Sequence, residues 1–144
     1  MTTRATVGKC GLVALAGYGL LMSGCAAPEV LSASAACKLL ADKGRHVGET
    51  ITFPGDYTSD HMERAVVWPT GCRWGIGVRA TNNNVKKLIE PLDPPWGHNG
   101  VRGRFTGKLV QSARNGMLFF HDDGIRLNII RLDHAAAFEW TPRL

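Results

Sequence analysis

The chain is 144 residues long and 44% hydrophobic, with 17 lysines and arginines against 12 aspartates and glutamates and a formal charge of +5. That length suits one domain with its own buried core, and neither an internal repeat nor a second-domain linker interrupts it. The basic excess is too small to imply a nucleic-acid partner by itself.

The first element is an address. Arg4 and Lys9 precede the uncharged run "CGLVALAGYGLLM" at 10–22, and small residues follow it. Basic head, apolar middle and small-residue exit is the order of a secretory signal. As a helix the run would cover roughly 20 Å of a hydrocarbon core about 30 Å thick, too little to span it. A buried helix of the folded domain is the other reading, but the run has no polar face and its glycines weaken a helix.

Met22-Ser23-Gly24-Cys25 resembles the lipobox of bacterial lipoproteins. The resemblance implies that the Cys25 thiol is alkylated with a diacylglyceryl group, that the peptide bond before it is cut, and that the new amino terminus is acylated. Ser23 and Gly24 fit the small positions of the motif, and Met22 stands where leucine is commonest. Each buried methylene contributes about 0.8 kcal/mol, so two or three acyl chains hold stably where one holds only marginally. Ala26 follows the cysteine; the lack of an aspartate there implies, for a Gram-negative lipoprotein, the outer membrane facing the periplasm. The expected organisation is a signal peptide at 1–24, a lipidated tether at 25–36 and a single β-rich domain at 37–144. Loss of Arg4 and Lys9 leaves a charge of about +3.

Of the four cysteines, Cys10 leaves with the signal and Cys25 carries lipid, so Cys37 and Cys72 remain as a pair in an oxidising compartment. A disulfide is the natural reading, and closing its loop contributes about 4 kcal/mol on the chain-entropy model. Two free buried thiols, or a catalytic thiol, are the alternatives; no CxxC is present.

"SAACKLLADKG" at 34–44 reads as one short helix, with Ser34 as cap, Cys37, Leu40 and Ala41 on one face, Gly44 as stop, and Cys37 bridged to Cys72 in a strand. From His46 the period changes to two. "HVGETITF" puts Val47, Ile51 and Phe53 on one side, "RAVVW" ends at the turn signal Pro69-Thr70-Gly71, and "CRWGIGVRA" alternates Trp74, Ile76 and Val78 with glycines. An Asn run, a helical candidate at 85–90 and a proline-rich loop with Trp96 and His98 follow.

In "VRGRFTGKL" the residues Val101, Gly103, Phe105, Gly107 and Leu109 face one way while Arg102, Arg104, Thr106 and Lys108 face the other, and inward glycines suit a sharply bent barrel strand. "MLFFHDDGIRLNI" reads as a hairpin around Asp123-Gly124, with Asp122 opposite Ile125, Phe120 opposite Leu127 and Leu118 opposite Ile129. Ile129-Ile130 then breaks the alternation, which predicts a bulge or a departure from pairing. The whole is mainly β. From about 46 to 133 it resembles, in order and spacing, a small five- to six-stranded oligonucleotide/oligosaccharide-binding (OB) barrel with a short N-terminal helix and a short helical connection; another small β-barrel or a sandwich is the alternative.

Four cations, Arg102, Arg104 and Lys108 with Arg126 beside them, form a candidate surface for an anionic envelope component or an acidic protein partner. An ordinary solvated strand face is the competing reading. Trp68, Trp74, Phe105, Phe119 and Phe120 invite comparison with base-stacking platforms, but a lipid-anchored envelope protein rarely meets nucleic acid, and alternating aromatics suit a core. His121, Asp122, Asp123, Asp133 and His134 are of metal-ligating type, although the derived register sets His121 opposite the Arg126 cation. No metal or cofactor is expected. No Ser/His/Asp set, paired catalytic carboxylates or zinc-hydrolase motif has convincing spacing. The sequence therefore points to a membrane-anchored, non-enzymatic binding or interaction module of the cell envelope, the alternative being a small-ligand or metal-binding periplasmic protein.

Overall fold

A computed structural model describes residues 28–61, 64–94, 99–112 and 124–139. The lipobox with Cys25, the Trp96–His98 loop, and Leu118 to Asp123 lie outside the described residues.

Order begins before the expected helix. Val30 forms a parallel bridge to Thr52, and the Leu31 N–H donates to the Thr52 carbonyl at 2.7 Å. Part of the stretch read as tether is thus laid along the sheet. Helix α1 (Ala33–Ala41) starts from Ser32, whose extended backbone lets its hydroxyl accept from the Ala35 N–H, so the cap is Ser32 and not Ser34. Ala36 and Leu40, four residues apart, are its buried face. The helix stops short of Gly44 because a 3-10 turn, Lys43–His46, takes over.

Five strands follow: β1 (Thr50–Ser59), β2 (Ala65–Pro69), β3 (Ile76–Thr81), β4 (Asn99–Gln111) and β5 (Ile125–Glu139), with α2 (Asn83–Ile89) between β3 and β4. Asn82 caps α2 by accepting from the Val85 N–H at 2.9 Å, and Val85 and Ile89 are buried. Two expectations shift here. Val47 lies ahead of β1 and is 41% exposed, since Gly48 at φ 93 turns the chain only after it. Cys72 is in the turn after β2, where its N–H donates to the Pro69 carbonyl and Gly71 takes φ 76, so no strand begins until Ile76. The Cys37–Cys72 disulfide is present, with its Cα atoms 5.3 Å apart.

Each strand has two neighbours. The order β1-β2-β3-β5-β4 closes through pairing of β4 with β1, and β3–β5 is the one parallel pair in this ring. Phe53 faces Phe105 across β1 and β4, and Val67, Ile76, Leu109, Leu127 and Ile129 complete the interior. The inward glycines of β4 have a steric reason: a Cβ on Gly107 would stand 2.7 Å from the Leu127 side chain, and one on Gly103 2.6 Å from that of Leu132.

The expected hairpin register is overturned. Leu127 pairs with Val78 on one side and Leu109 on the other, and Ile129 with Thr81 and Gly107, so no edge is left for Phe120 or Leu118. A local turn signal was outweighed by partners distant in sequence. The break at Ile129-Ile130 is real: Thr106 faces Arg131 and Gly107 faces Ile129, which leaves Ile130 as the extra residue of a bulge, 45% exposed.

The closed sheet has two distinct ends. One carries α1, the start of β1 and the β2–β3 turn; the other carries the β1–β2 connection, α2 and the start of β4. The disulfide pins the first end. Replacing both cysteines with serine should lower the unfolding free energy by about 4 kcal/mol, read as a lower urea midpoint at unchanged slope; an unchanged midpoint would show that the cross-link contributes nothing.

Candidate functional site

The predicted cationic residues share the outer face of β4 and the adjoining part of β5, but they do not form one open track. Arg102 grips Asp56 of β1 through two hydrogen bonds, 2.7 and 3.0 Å, and its guanidinium carbon lies 5.0 Å from the centre of the Phe138 ring. The Asp56 hydrogen bond, and then its charge, raise the Arg102 pKa. Arg104 is in register with Pro54 and with Asp133, whose carboxylate is held by Arg131 at 2.9 Å. Lys108 is exposed between Thr50 and Asn128. Arg126, opposite Val110, lies across β3, its Cδ 3.0 Å from where a Gly77 Cβ would stand.

A second candidate is at the α2 end, where an open groove of about 600 Å³ is bounded by the β1–β2 connection, β3 and α2. Its first wall is a tight turn: Asp60 exchanges backbone contacts with Arg64, its N–H donating to the Arg64 carbonyl and its carboxylate accepting the Arg64 N–H at 2.8 Å. His61 takes φ 58, unusual for a side-chain-bearing residue, and its N–H donates to the Ser59 hydroxyl at 3.0 Å. Arg79 and Thr81 of β3 and Lys86 of α2 supply the opposite wall.

Behind the groove lies Asp93. Its N–H continues the helical bonding of α2 to the Ile89 carbonyl, which fixes the residue beneath His61. The carboxylate is 1% exposed, closed off from water though close under the surface. His61 Nε2 is 3.2 Å from Asp93 Oδ1, within ion-pairing range but off the line of a hydrogen bond, so among the described residues Oδ1 has no hydrogen-bond partner. Burial raises the Asp93 pKa and the adjacent His61 offsets part of that rise. Burial also raises the Tyr57 pKa; a Ser59 hydrogen bond opposes the rise, and the charges of Asp93 and Asp60 add to it.

A second groove, of about 610 Å³, is bounded by Asp56 and Arg102 on one side and by Trp68, Thr70 and Arg73 on the other. Trp68 donates its indole N–H to the Thr58 hydroxyl at 3.1 Å, over Gly75, where a Cβ would meet the ring at 2.9 Å. The aromatic residues therefore divide: Phe105 is core, Trp68 is half-buried, and Trp74 is 72% exposed.

Among the described residues, no group of three or more His, Cys, Asp or Glu is placed to hold a metal ion. Asp133 is engaged by Arg131, and His134 is exposed in a second irregularity of β5, at φ 57. Arg64, Arg79 and Lys86 line the α2-end groove together with His61, behind which lies the buried Asp93. That balance suits an anionic ligand at the rim. The pairing of His61 with Asp93 escaped the sequence reading, because nothing local to either residue marks the other. Comparison with protein-family models, with curated proteins and with solved structures finds no match.

Because Asp93 binds its proton more tightly folded than unfolded, its contribution favours folding below its ordinary value of 3.8 and is lost as pH rises through the raised value. Asp93→Asn should therefore gain stability relative to the native chain between about pH 4 and pH 7. Urea midpoints at the two pH values test this; a difference that stays constant or shrinks would contradict the assignment.

Proposed function

We propose that the chain is a membrane-anchored cell-envelope lipoprotein, lipidated at Cys25, whose OB-like barrel is a non-enzymatic binding module for an anionic envelope component or an acidic protein partner. The single observation that carries the export reading is the Cys37–Cys72 bridge, a bond that persists in oxidising compartments, joined to a signal-and-lipobox sequence that would deliver the chain to one. The ring order β1-β2-β3-β5-β4 with a helix between β3 and β4 supports the OB-like reading, a five-stranded Greek-key barrel that binds ligands on the face of its second and third strands and on adjoining loops.

The same comparison directs attention to the α2-end groove, since it is built from the β1–β2 connection and β3. Of the residues first nominated, Arg102 is committed to Asp56, and Arg79 and Lys86 on the rim of this groove are the candidate anion receptor. A groove of about 600 Å³ is within the usual range of small-ligand sites. Among the described residues no group of three donors supports the metal reading; three of its candidates, His121, Asp122 and Asp123, lie outside them.

Two experiments test the two halves. Cys25→Ala should move the protein out of the membrane fraction or leave an uncleaved precursor, and unaltered acylation and fractionation would refute the anchor. Arg79→Glu combined with Lys86→Glu should weaken binding of a polyphosphate probe about tenfold at low salt. Equal binding by the reversed and native proteins would dismiss this groove as the receptor.

A further inference from the structure

Five large apolar side chains are notably exposed among the described residues, and three of them, Val30, Val47 and Trp74, belong to the α1 end of the sheet. Trp74 is the extreme case at 72%. It projects from the β2–β3 turn, and this turn is tied to the first turns of α1: Cys72 is bonded to Cys37, and its Sγ lies 3.8 Å from the Ala33 carbonyl. The incoming chain is fixed at the same end, because Val30 runs parallel to β1 beside Thr52. Going back from Val30 toward the amino terminus therefore runs toward the start of β1.

Cys25 is only five residues before Val30, at most about 18 Å of extended chain. On the lipid-anchored reading, on which this inference rests, so short a reach brings the α1 end to the bilayer. We infer that this end is itself a membrane-contacting surface, with Trp74 seated at the headgroup level of an anionic bilayer and Arg73 beside it binding lipid phosphate.

The chemistry fits that partner. Tryptophan concentrates at membrane interfaces because its ring is apolar and its N–H polar. Arg73 lies over the Trp74 ring, its guanidinium carbon 5.8 Å from the ring centre, so the two present one amphipathic unit. Lys38 and Lys43 belong to the same end. Of the acids there, Asp42 pairs with Arg45 at 3.2 Å, Glu49 is hydrogen-bonded to His46 at 3.0 Å, and Glu29 is a further exposed carboxylate. A rigid loop, held by a disulfide, can keep a tryptophan at a fixed height without ordering it on contact.

The test uses the full chain, processed in a bacterial envelope, purified and reconstituted in vesicles of phosphatidylethanolamine and phosphatidylglycerol carrying bromine near the headgroups. Bromolipid should quench tryptophan emission, and Trp74→Phe should remove the larger part of that quenching; the side chain is exposed enough for the exchange to leave the fold intact. Arg73→Gln should shift the docked-to-undocked ratio about fivefold, as expected for the loss of one charge at an anionic surface, and the shift should vanish in phosphatidylcholine. Mass spectrometry of the amino-terminal peptide separates the two levels of inference. Lipid at Cys25 with quenching unchanged in Trp74→Phe overturns the docking surface and leaves the anchor standing; an unmodified Cys25 overturns both.

Discussion

Closure of the sheet depends on β5 being held along both edges. Leu127 sits between Val78 and Leu109, and Ile129 between Thr81 and Gly107, so one strand supplies the parallel partner of β3 and the antiparallel partner of β4. Without it, β3 and β4 would each present an open edge, and the interior built around Phe53, Phe105 and Leu109 would lose a wall. The bulge at Ile130 belongs to the same solution: the extra residue lets β5 keep its register with β4 on either side of the bend. Fixing β5 also fixes what lies at each end, because α2 must run from β3 to β4 around it.

Patterns with a short physical cause were readable in the sequence. The alternation of Val101 to Leu109 marked a strand, although Thr106, read as outward, is buried against Thr52, and the glycines read as suiting a bent barrel strand stand where a Cβ would meet Leu127 and Leu132. The doubled isoleucine marked the bulge, and the cysteine inventory left one pair to join. What failed were inferences that assigned a partner from local signals. Asp123-Gly124 favoured a hairpin in isolation, yet the far side of Leu127 was already claimed by β3. Alternation placed Cys72 and Trp74 in a strand, but the turn begun at Pro69 extends past both.

The candidate sites show the same division. Outward cations on β4 were legible from their spacing; that Arg102 would meet Asp56 depends on the β1–β4 register, which no periodicity contains. Lysine and arginine counts therefore overstate the charge available to a ligand, since Arg45, Arg102 and Arg131 each have a carboxylate within 3.2 Å. The α2-end groove depends on two residues held in costly states, His61 at a left-handed φ and Asp93 as a buried carboxylate with one oxygen that has no hydrogen-bond partner among the described residues. Such positions persist only where the surroundings over-determine them, here through the Asp60–Arg64 turn and the last turn of α2.

The position of the disulfide in the chain has a temporal consequence. Both of its cysteines precede β3, β4 and β5, so every atom needed for the cross-link exists once residue 72 has been made, whereas the ring cannot shut until β5 arrives. The order of the chain thus lets the cross-link precede closure of the ring. Long-range strand pairing is the slow kind of folding step. Until both later strands have docked, unpaired backbone lies on β1, which awaits β4, and on β3, which awaits β5, and open edges of this kind invite association with other copies.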